Sequence, residues 1–309
     1  MNIKFFLVLF LIIGSVSLIT AQETLELLTV SGHFSTPQSF DTSSPYTGET
    51  TESGAMVNLI VPIVLNKKQI WYNSVNYMWW NVNTNIDMTD NIANPINVYG
   101  LVLRTGLIQK LSNGNSIQAV FIPRLMSDFK NIGSQHFQFG GTFIYNKVYH
   151  ERLEIGYGIL YNQEAFGPNV VPLVNLEWKM SKRWSISGLL PIYSKVKYKV
   201  NKKFNIGTHH FGLVTSYRLG EETYQDDYIE RRSIDLGLFV SYTIAGGLSI
   251  EGRYGYSFGR SYAQYKQDDK INLALPLITI GDNRTQLNAN SNFGNGAYAN
   301  IRLVYAIKI

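Results

Sequence analysis

Histidine and serine are the residue types in this sequence that most directly suggest catalysis, because a histidine can act as the base that activates a serine hydroxyl. Ser134 lies close to His136, and Ser216 follows His209 and His210. Such pairs would make the chain a membrane lipid hydrolase. No recognised hydrolase motif surrounds them, and closeness in sequence does not establish a hydrogen bond. We therefore predict no catalytic residues and no enzyme activity.

Metal binding is the second chemistry to consider. An acidic segment carries five carboxylates: Glu221, Glu222, Asp226, Asp227 and Glu230. Their spacing does not match the ligand pattern of an EF-hand, which favours a solvated acidic loop. The chain has no cysteine, so it holds no thiolate site. Side chains at successive strand positions diverge, which makes the His209–His210 pair a poor chelator. We predict neither a metal nor a cofactor.

The elements that would position these groups are β-strands, because hydrophobic residues recur with a period of two. Residues 299–309, 153–161, 234–242 and 248–258 each place large apolar side chains on one face and small or polar ones on the other. Segments of ~10 residues with this alternation are typical of transmembrane barrels. Charged residues make up 16% of the chain, below the ~25% usual in soluble domains. The pattern predicts an all-β protein, a transmembrane antiparallel up-and-down β-barrel.

Short polar turns and longer loops alternate along the chain, and this divides it into strands. We predict about fourteen strands, within a range of twelve to sixteen. They cover 24–34, 56–65, 70–82, 97–110, 116–128, 136–146, 152–161, 170–179, 184–190, 195–200, 204–217, 232–243, 248–260 and 294–308. Hydrophobic parity changes within 204–217, which predicts a β-bulge near His209.

The N-terminus has the layout of a secretory signal peptide. Lys4 precedes an apolar run from Phe5 to Ile19, and Ala21 provides a small residue before a cleavage point. We predict a signal peptide over 1–21 and a single barrel domain over 22–309. Residues 22–55 are the weakest part, either a first strand with its loop or a periplasmic arm. Export and a barrel together predict an outer-membrane location.

Aromatic residues cluster near the predicted strand ends. Trp71 and Trp79 share one face of a strand, eight residues apart. That spacing corresponds to about 20 Å of height in a tilted strand, near the ~25 Å apolar band between aromatic girdles. The predicted girdle comprises Trp71, Trp79, Trp178, Trp184, Tyr256 and Phe258.

Three local sequences resemble segments of an uncharacterised outer-membrane β-barrel family of Bacteroidetes-type bacteria. They are residues 122–129, the Leu189-Leu190-Pro191 stretch and residues 258–262. The similarity spans about residues 55–309. It implies a barrel fold and an outer-membrane location only, because the family has no established activity.

If the apolar faces contact lipid, the opposite faces point into the lumen. The charged residues predicted there are Arg104, Arg124, Asp128, Glu154, Glu177, Asp235, Glu251, Arg253 and Arg302. Two interpretations remain open. They line a pore and tune its selectivity, or they form ion pairs that bridge the interior.

The leading functional hypothesis is a narrow pore or transporter for small or amphipathic solutes. A non-conducting structural or adhesion barrel is the alternative, and an outer-membrane lipid hydrolase is the second alternative. The expected partners are outer-membrane lipids and, during biogenesis, the barrel-assembly machinery. Nothing indicates nucleic acid, and the solute is not specified by the sequence.

Overall fold

The protein is almost entirely β-structure. The computed structural model describes residues 24–39, 48–84, 89, 91–224, 226–288 and 294–308. The strands are β1 Thr24–Ser35, β2 Gln38–Ser39, β3 Glu49–Ile60, β4 Ile63–Asn66, β5 Gln69–Thr84, β6 Ile96–Lys110, β7 Ser116–Ser127, β8 Phe137–His150, β9 Leu153–Glu164, β10 Gly167–Trp178, β11 Trp184–Leu190, β12 Tyr193–Lys199, β13 Phe204–Arg218, β14 Tyr228–Ala245, β15 Leu248–Tyr265, β16 Leu273–Leu275, β17 Ile278–Ile280 and β18 Gly296–Lys308. Short 3₁₀ helices occupy Ser134–His136 and Glu222–Tyr224. In this part of the chain, no helix has the length and apolarity needed to cross a bilayer.

The sheet closes into a barrel of fourteen antiparallel strands. β1 pairs with β3 on one side and with β18 on the other, and β18 pairs with β15. β3 and β4 both pair with β5, so together they form one barrel strand. β2, β16 and β17 belong to loops. Fourteen strands were predicted, and that number and the closed antiparallel architecture are confirmed.

The two faces of each strand are chemically distinct, as the alternation predicted. On β5, Trp71 and Val75 are 46% and 43% exposed on the outside, whereas Ser74 and Met78 are 1% and 7% exposed inside. This contrast arises because successive side chains of a strand point to opposite faces. An apolar outer surface repeated on each strand is suited to hydrocarbon and poorly suited to water.

The connections give the barrel two different ends. Short turns follow β4, β6, β8, β10, β12 and β14, and we call this the short-turn end. The opposite end, which we call the long-loop end, carries the described residues 89, 91–95, 128–136, 219–224, 226–227, 266–288 and 294–295. Barrels of bacterial outer membranes keep their short turns in the periplasm.

Several boundaries differ from those predicted. The weak first segment is a true strand, because β1 is paired along both edges. The second barrel strand begins at Glu49 instead of 56, since polar residues continue its ladder beyond the apolar part. The predicted signal peptide lies outside the described residues.

The bulge predicted near His209 is wrong. β13 keeps one uninterrupted register with β14 from Phe204 to Arg218. The parity changes because Phe211 and Tyr217 share the inward face of His209, and Tyr217 is fully buried there. Apolar side chains therefore fill part of the interior, which the sequence alone did not indicate.

One section of the barrel wall is built from shorter strands than the rest, so it covers less of the barrel's height. β11 and β12 have seven residues each, whereas their neighbours β10 and β13 have twelve and fifteen. Pairing with β10 stops at Val174, and pairing with β13 stops at Phe211. The long-loop halves of β10 and β13 therefore lack a barrel strand between them.

Candidate functional site: the barrel lumen

A carboxylate at the short-turn end organises the first cluster in the lumen. Glu251 accepts hydrogen bonds from Arg302 at 2.7 Å, from Arg253 at 2.8 Å and from Lys195. Arg302 also donates to Glu26 at 3.0 Å. These contacts join β12, β15, β18 and β1 across the interior. Three cations face two carboxylates, so this cluster carries an excess of one positive charge.

A second cluster, toward the long-loop end, surrounds Glu52. Arg231 donates to its carboxylate at 2.8 Å, Arg260 at 3.1 Å and the Tyr262 hydroxyl at 2.6 Å. His33 lies 3.6 Å from the same carboxylate. The side chains of Glu52, Arg231 and Arg260 are almost completely inaccessible to solvent. Charges taken from water require such close partners, so this cluster fixes β3 against β14 and β15.

Aromatic rings extend the Glu52 cluster. The Arg231 guanidinium lies 3.8 Å from the centre of the Trp80 ring, a cation–π contact. Tyr298 stacks on His33 at 5.2 Å, and its hydroxyl is 3.1 Å from Nε2 of His209. Gly237 gives this hydroxyl room, because a Cβ there would lie 2.9 Å from it.

The third cluster crosses the mouth of the barrel. Arg124 on β7 donates to Glu164 on β9 at 2.6 Å. The second carboxylate oxygen of Glu164 accepts from the Ser216 hydroxyl at 2.8 Å and from its backbone N–H at 3.0 Å. The end of β13 also bridges to β7 through Arg218 and Ser127. The long-loop half of β13 therefore leans across the lumen.

Apolar side chains pack between these clusters and obstruct the long-loop half. Tyr217, which donates a hydrogen bond to the sulfur of Met78 across the lumen, lies among them. The buried inward residues of this group include Met78, Val102, Val120, Ile122, Met126, Ile144, Leu160, Leu173 and Tyr217.

The loops seal the long-loop end further. Gln264 is fully buried, and its amide donates to Asp227 and to the carbonyl of Asn91, both at 2.9 Å. Its carbonyl accepts from the backbone N–H of Ala93 at 2.9 Å. Burial raises the pKa of Asp227. Nearby, Phe166, Tyr228, Ile271 and Ala274 form a buried apolar layer with Ala165.

The lumen near the short-turn end is more open. Tyr193 shares the inward face of Lys195 yet is 48% exposed. Arg104 also points inward and lies within electrostatic reach of Tyr72 and Tyr193. Among the described residues Arg104 makes no ion pair. These side chains surround a lumenal space that remains accessible to solvent.

Two predicted lumen glutamates face each other in this open half. Glu154 on β9 and Glu177 on β10 are register partners on the inward face. In the described chain neither forms an ion pair, and one oxygen of Glu154 is buried without a hydrogen-bond partner. They thus differ from Glu251, which contacts three cations.

The remaining predicted lumen residues separate into two environments. Asp235 is buried inside, where the Ser257 hydroxyl donates to it at 2.7 Å. The prediction that Asp128 faces the lumen is wrong, because β7 ends at Ser127 and Asp128 lies in the following loop. Its carboxylate accepts from the backbone N–H of Gly220 at 2.9 Å and so joins two loops.

Among the described residues, Ser216, His209 and His136 of the hydrolase hypothesis each bond to other groups. Ser216 bonds Glu164, and His209 bonds Tyr298. His136 accepts from the backbone N–H of Gly133 at 2.9 Å.

Two carboxylates of the acidic segment pair with separate cations. Glu221 pairs with Lys130, and this contact raises the pKa of the lysine. Glu230 pairs with Arg232 and Arg284. Across the described ranges, no group of three or more potential ligands could hold a metal ion.

The predicted girdle residues point outward. Trp71, Trp178 and Trp184, at the short-turn end, are 46%, 38% and 44% exposed. Trp79 is half-buried on the outer face of β5. Tyr256 and Phe258 lie near the middle of β15, which continues to Tyr265, and their ring centres are 5.0 Å apart.

Several central residues were missed. The alternation places Glu52, Glu164 and Arg231 in loops, because their strands extend beyond its apolar part. Arg260 has the parity of the outward residues of β15, and the register shift opposite Arg232 and Ile234 turns it inward. Lys195 lay in a predicted strand, and its position opposite His209 would have placed it inside. Glu26 and His33 were also missed.

Comparison with known proteins gives one family match. The family model described as a domain of unknown function, DUF6268, matches residues 31–305. No curated protein matches.

Solved structures show distant similarity. An outer membrane channel from Pseudomonas putida F1 has 10% identity and a TM-score of 0.45, with 95% of this chain and 98% of that chain covered. The translocator domain of the autotransporter NalP from Neisseria meningitidis has 9% identity and a TM-score of 0.35, covering 91% and 88%. A mutant of the TodX monoaromatic hydrocarbon channel has 10% identity and a TM-score of 0.33, covering 92% and 90%.

Proposed function

Because the chain belongs to the DUF6268 family, for which no function is established, we propose its function from the geometry: an outer-membrane barrel that provides a narrow pathway for small or amphipathic solutes. The closed fourteen-stranded wall and its apolar outer face support the membrane location. The proposed location includes export by the predicted signal peptide over 1–21, an origin in Bacteroidetes-type bacteria, contact with outer-membrane lipids and insertion by the barrel-assembly machinery.

The observation that carries the proposal is the division of the lumen. One half presents Tyr193, 48% exposed, and beside it Arg104, which has no ion pair among the described residues. The other half is filled by Tyr217, Met78 and the Arg124–Glu164 pair. A wide porin would leave an aqueous channel through both halves. An aromatic vestibule with charged and polar walls below an apolar region matches an amphipathic solute, and Arg104 beside Tyr193 offers a contact for an anionic group on it.

Influx of a defined probe tests this function. Liposomes containing serum albumin and the refolded protein would be mixed with 8-anilinonaphthalene-1-sulfonate, an anionic amphipathic dye that fluoresces when albumin binds it. We expect several-fold faster influx than in protein-free liposomes. Arg104→Gln should reduce the rate several-fold, whereas Arg152→Gln, in the exposed turn between β8 and β9, should not.

The alternative is a non-conducting structural or adhesion barrel, and the sealed long-loop end favours it. Planar-bilayer recording, combined with the dye assay, distinguishes the two functions. Absence of both stepwise current and dye influx, with correctly folded heat-modifiable protein, would overturn the pathway and support the alternative. Large, steady porin-like currents would overturn the narrowness of the pathway.

A further inference from the structure

The low section of the wall is occupied by two hairpins that approach each other. From the short-turn end, β11 and β12 rise to a turn at Pro191 and Ile192, level with Val174 of β10. From the long-loop end, β16 adds to the free edge of β10 in parallel, with Ala274 beside Asn169. β17 then returns antiparallel to β16.

The direction of β16 places the tip of the second hairpin at membrane depth. β10 runs from the long-loop end to the short-turn end, and β16 is parallel to it, so Pro276 and Leu277 point toward the membrane. Counting along the register from Asn169 and Ala274, Leu277 is level with Pro172. Pro172 is six residues from Trp178, which corresponds to about 15 Å of height in a strand tilted by ~40°. That depth lies within the ~25 Å apolar band.

The exposed side chains of this hairpin are apolar. Leu277 is 93% exposed, Ile278 58% and Ile280 47%. Residues 273–280 contain no charge, and Thr279 is their only polar side chain. Apolar area left in water costs about 25 cal/mol per Å², and the acyl chains of the outer leaflet would remove that cost.

Among the described strands, the other side of the hairpin has no pairing partner. Of the pairings among described strands, none joins β17 to β13. β13 instead leans across the mouth, and its Gly212 N–H bonds the Ile192 carbonyl at 2.7 Å. Above that bond, no ladder joins β13 to β17 in the part of the chain that the structure describes, and we call this stretch of wall, between β13 and the β16–β17 hairpin, the seam. Val171, Leu189 and Ile192, which pack on the inner apolar cluster, lie beside it.

We propose that this seam is a lateral opening, with the β16–β17 hairpin as its lipid-contacting cover. Amphipathic molecules would pass sideways between the Tyr193 vestibule and the outer leaflet when the cover separates from β10. The sealed long-loop end leaves this side of the barrel as the shortest connection from the vestibule. The proposal rests on the pathway function above. It adds that the route runs through the barrel wall and that the outer leaflet of the membrane is the compartment at its other end.

Two experiments test it separately from that function. In the first, Leu277→Cys carries a bimane fluorophore in bilayers that contain dibrominated phosphatidylcholine. Bromine on the acyl chains should quench it strongly. The same label at Asp268→Cys, exposed in the same loop, should be quenched weakly. Equal weak quenching at both sites would show that the tip does not contact lipid, and it would contradict the proposed role of the β16–β17 hairpin as a lipid-contacting cover.

The second experiment locks the cover with a disulfide, which is possible because the chain has no cysteine of its own. Asn169→Cys/Ala274→Cys would join β16 to β10. Oxidation should lower dye influx to the protein-free rate, and reduction should restore it. Thr51→Cys/Asn83→Cys, register partners on β3 and β5, is the matched control and should leave influx unchanged.

The outcomes remain distinguishable. If the wild type transports the dye and the oxidised lock does not slow it, the lateral route is wrong while the pathway function stands. If the wild type transports no dye, the pathway function and the route both fail, and the bromine quenching still decides whether the hairpin contacts lipid.

Discussion

The guanidinium of Arg231 donates to the carboxylate of Glu52 at 2.8 Å, although 179 residues separate them in the chain. The contact joins β14 to β3 through the interior and is shielded from water on all sides. Removal of either residue would leave the charge of the other buried, so the stability that this ion pair provides depends on both residues.

Removing Arg231 should weaken the barrel. Arg231→Met leaves Glu52 buried with fewer partners, and loss of one member of a buried pair costs about 3 kcal/mol or more. Arg232→Met, at the neighbouring and partly exposed position, should cost under about 1 kcal/mol. Urea unfolding of the refolded protein in detergent, followed by tryptophan fluorescence, measures both. Equal losses for the two variants would contradict a structural role for the buried pair.

Glu251 provides a second comparison. Glu251→Gln leaves Lys195, Arg253 and Arg302 without their shared carboxylate, and we expect a loss of about 2–4 kcal/mol. Glu154→Gln makes the same change at a buried glutamate without an ion pair among the described residues, and it should be near neutral. The same unfolding measurement applies. A larger loss of unfolding free energy for Glu154→Gln than for Glu251→Gln would show that Glu251 is not the more stabilising carboxylate.

Close packing around Tyr298 predicts an effect of a single methyl group. In Gly237→Ala the new Cβ would meet Nε2 of His209 at 2.8 Å and the Tyr298 hydroxyl at 2.9 Å. Overpacking of this kind costs about 1–3 kcal/mol. Gly252→Ala is the control, because a Cβ there meets nothing within 4 Å. Thermal unfolding should show a lower Tm for Gly237→Ala alone; an unchanged Tm would show that the cluster adjusts freely.

The loop pair Asp282–Arg284 predicts a pH dependence. The Arg284 guanidinium donates to Asp282 and holds the pKa of that carboxyl below its ordinary value. A carboxyl with a lowered pKa in the folded state stabilises the fold above its unfolded pKa, and this contribution is lost as pH falls through the folded pKa. Carboxyl ¹³C NMR titration should give a lower pKa for Asp282 in the wild type than in Arg284→Ala. Identical titration curves would show that the pair does not form in solution.

The wall of the barrel was predictable from the sequence because each strand carries its own local signal. The alternation in 153–161 or 248–258 needs no knowledge of the neighbouring strand. The interior was harder for two physical reasons. Pairs such as Glu52 with Arg231 depend on which strands meet across the lumen, and this is not encoded by spacing. Along the middle and long-loop half of β13, Phe211 and Tyr217 face inward, so hydrophobicity there no longer distinguishes lipid from lumen.

Register shifts were the other source of error. Glu26 points inward only because a bulge separates it from Leu28, and Arg260 does so because of the shift opposite Arg232 and Ile234. A one-residue slip moves a side chain to the opposite face of the sheet. Alternation followed through such a point therefore assigns every later residue to the wrong side.

The pairing of β1 with β18 places Thr24 and Lys308 in register at the same end of the barrel. Adjacent strands lie about 4.8 Å apart, so a linker of a few residues could join them. New termini could then be cut at Gly246 and Gly247, in the short turn between β14 and β15. Such a circular permutant would keep the same hydrogen-bond ladder while changing which strand is synthesised last. It would show whether barrel closure depends on the order of synthesis or only on the set of strands.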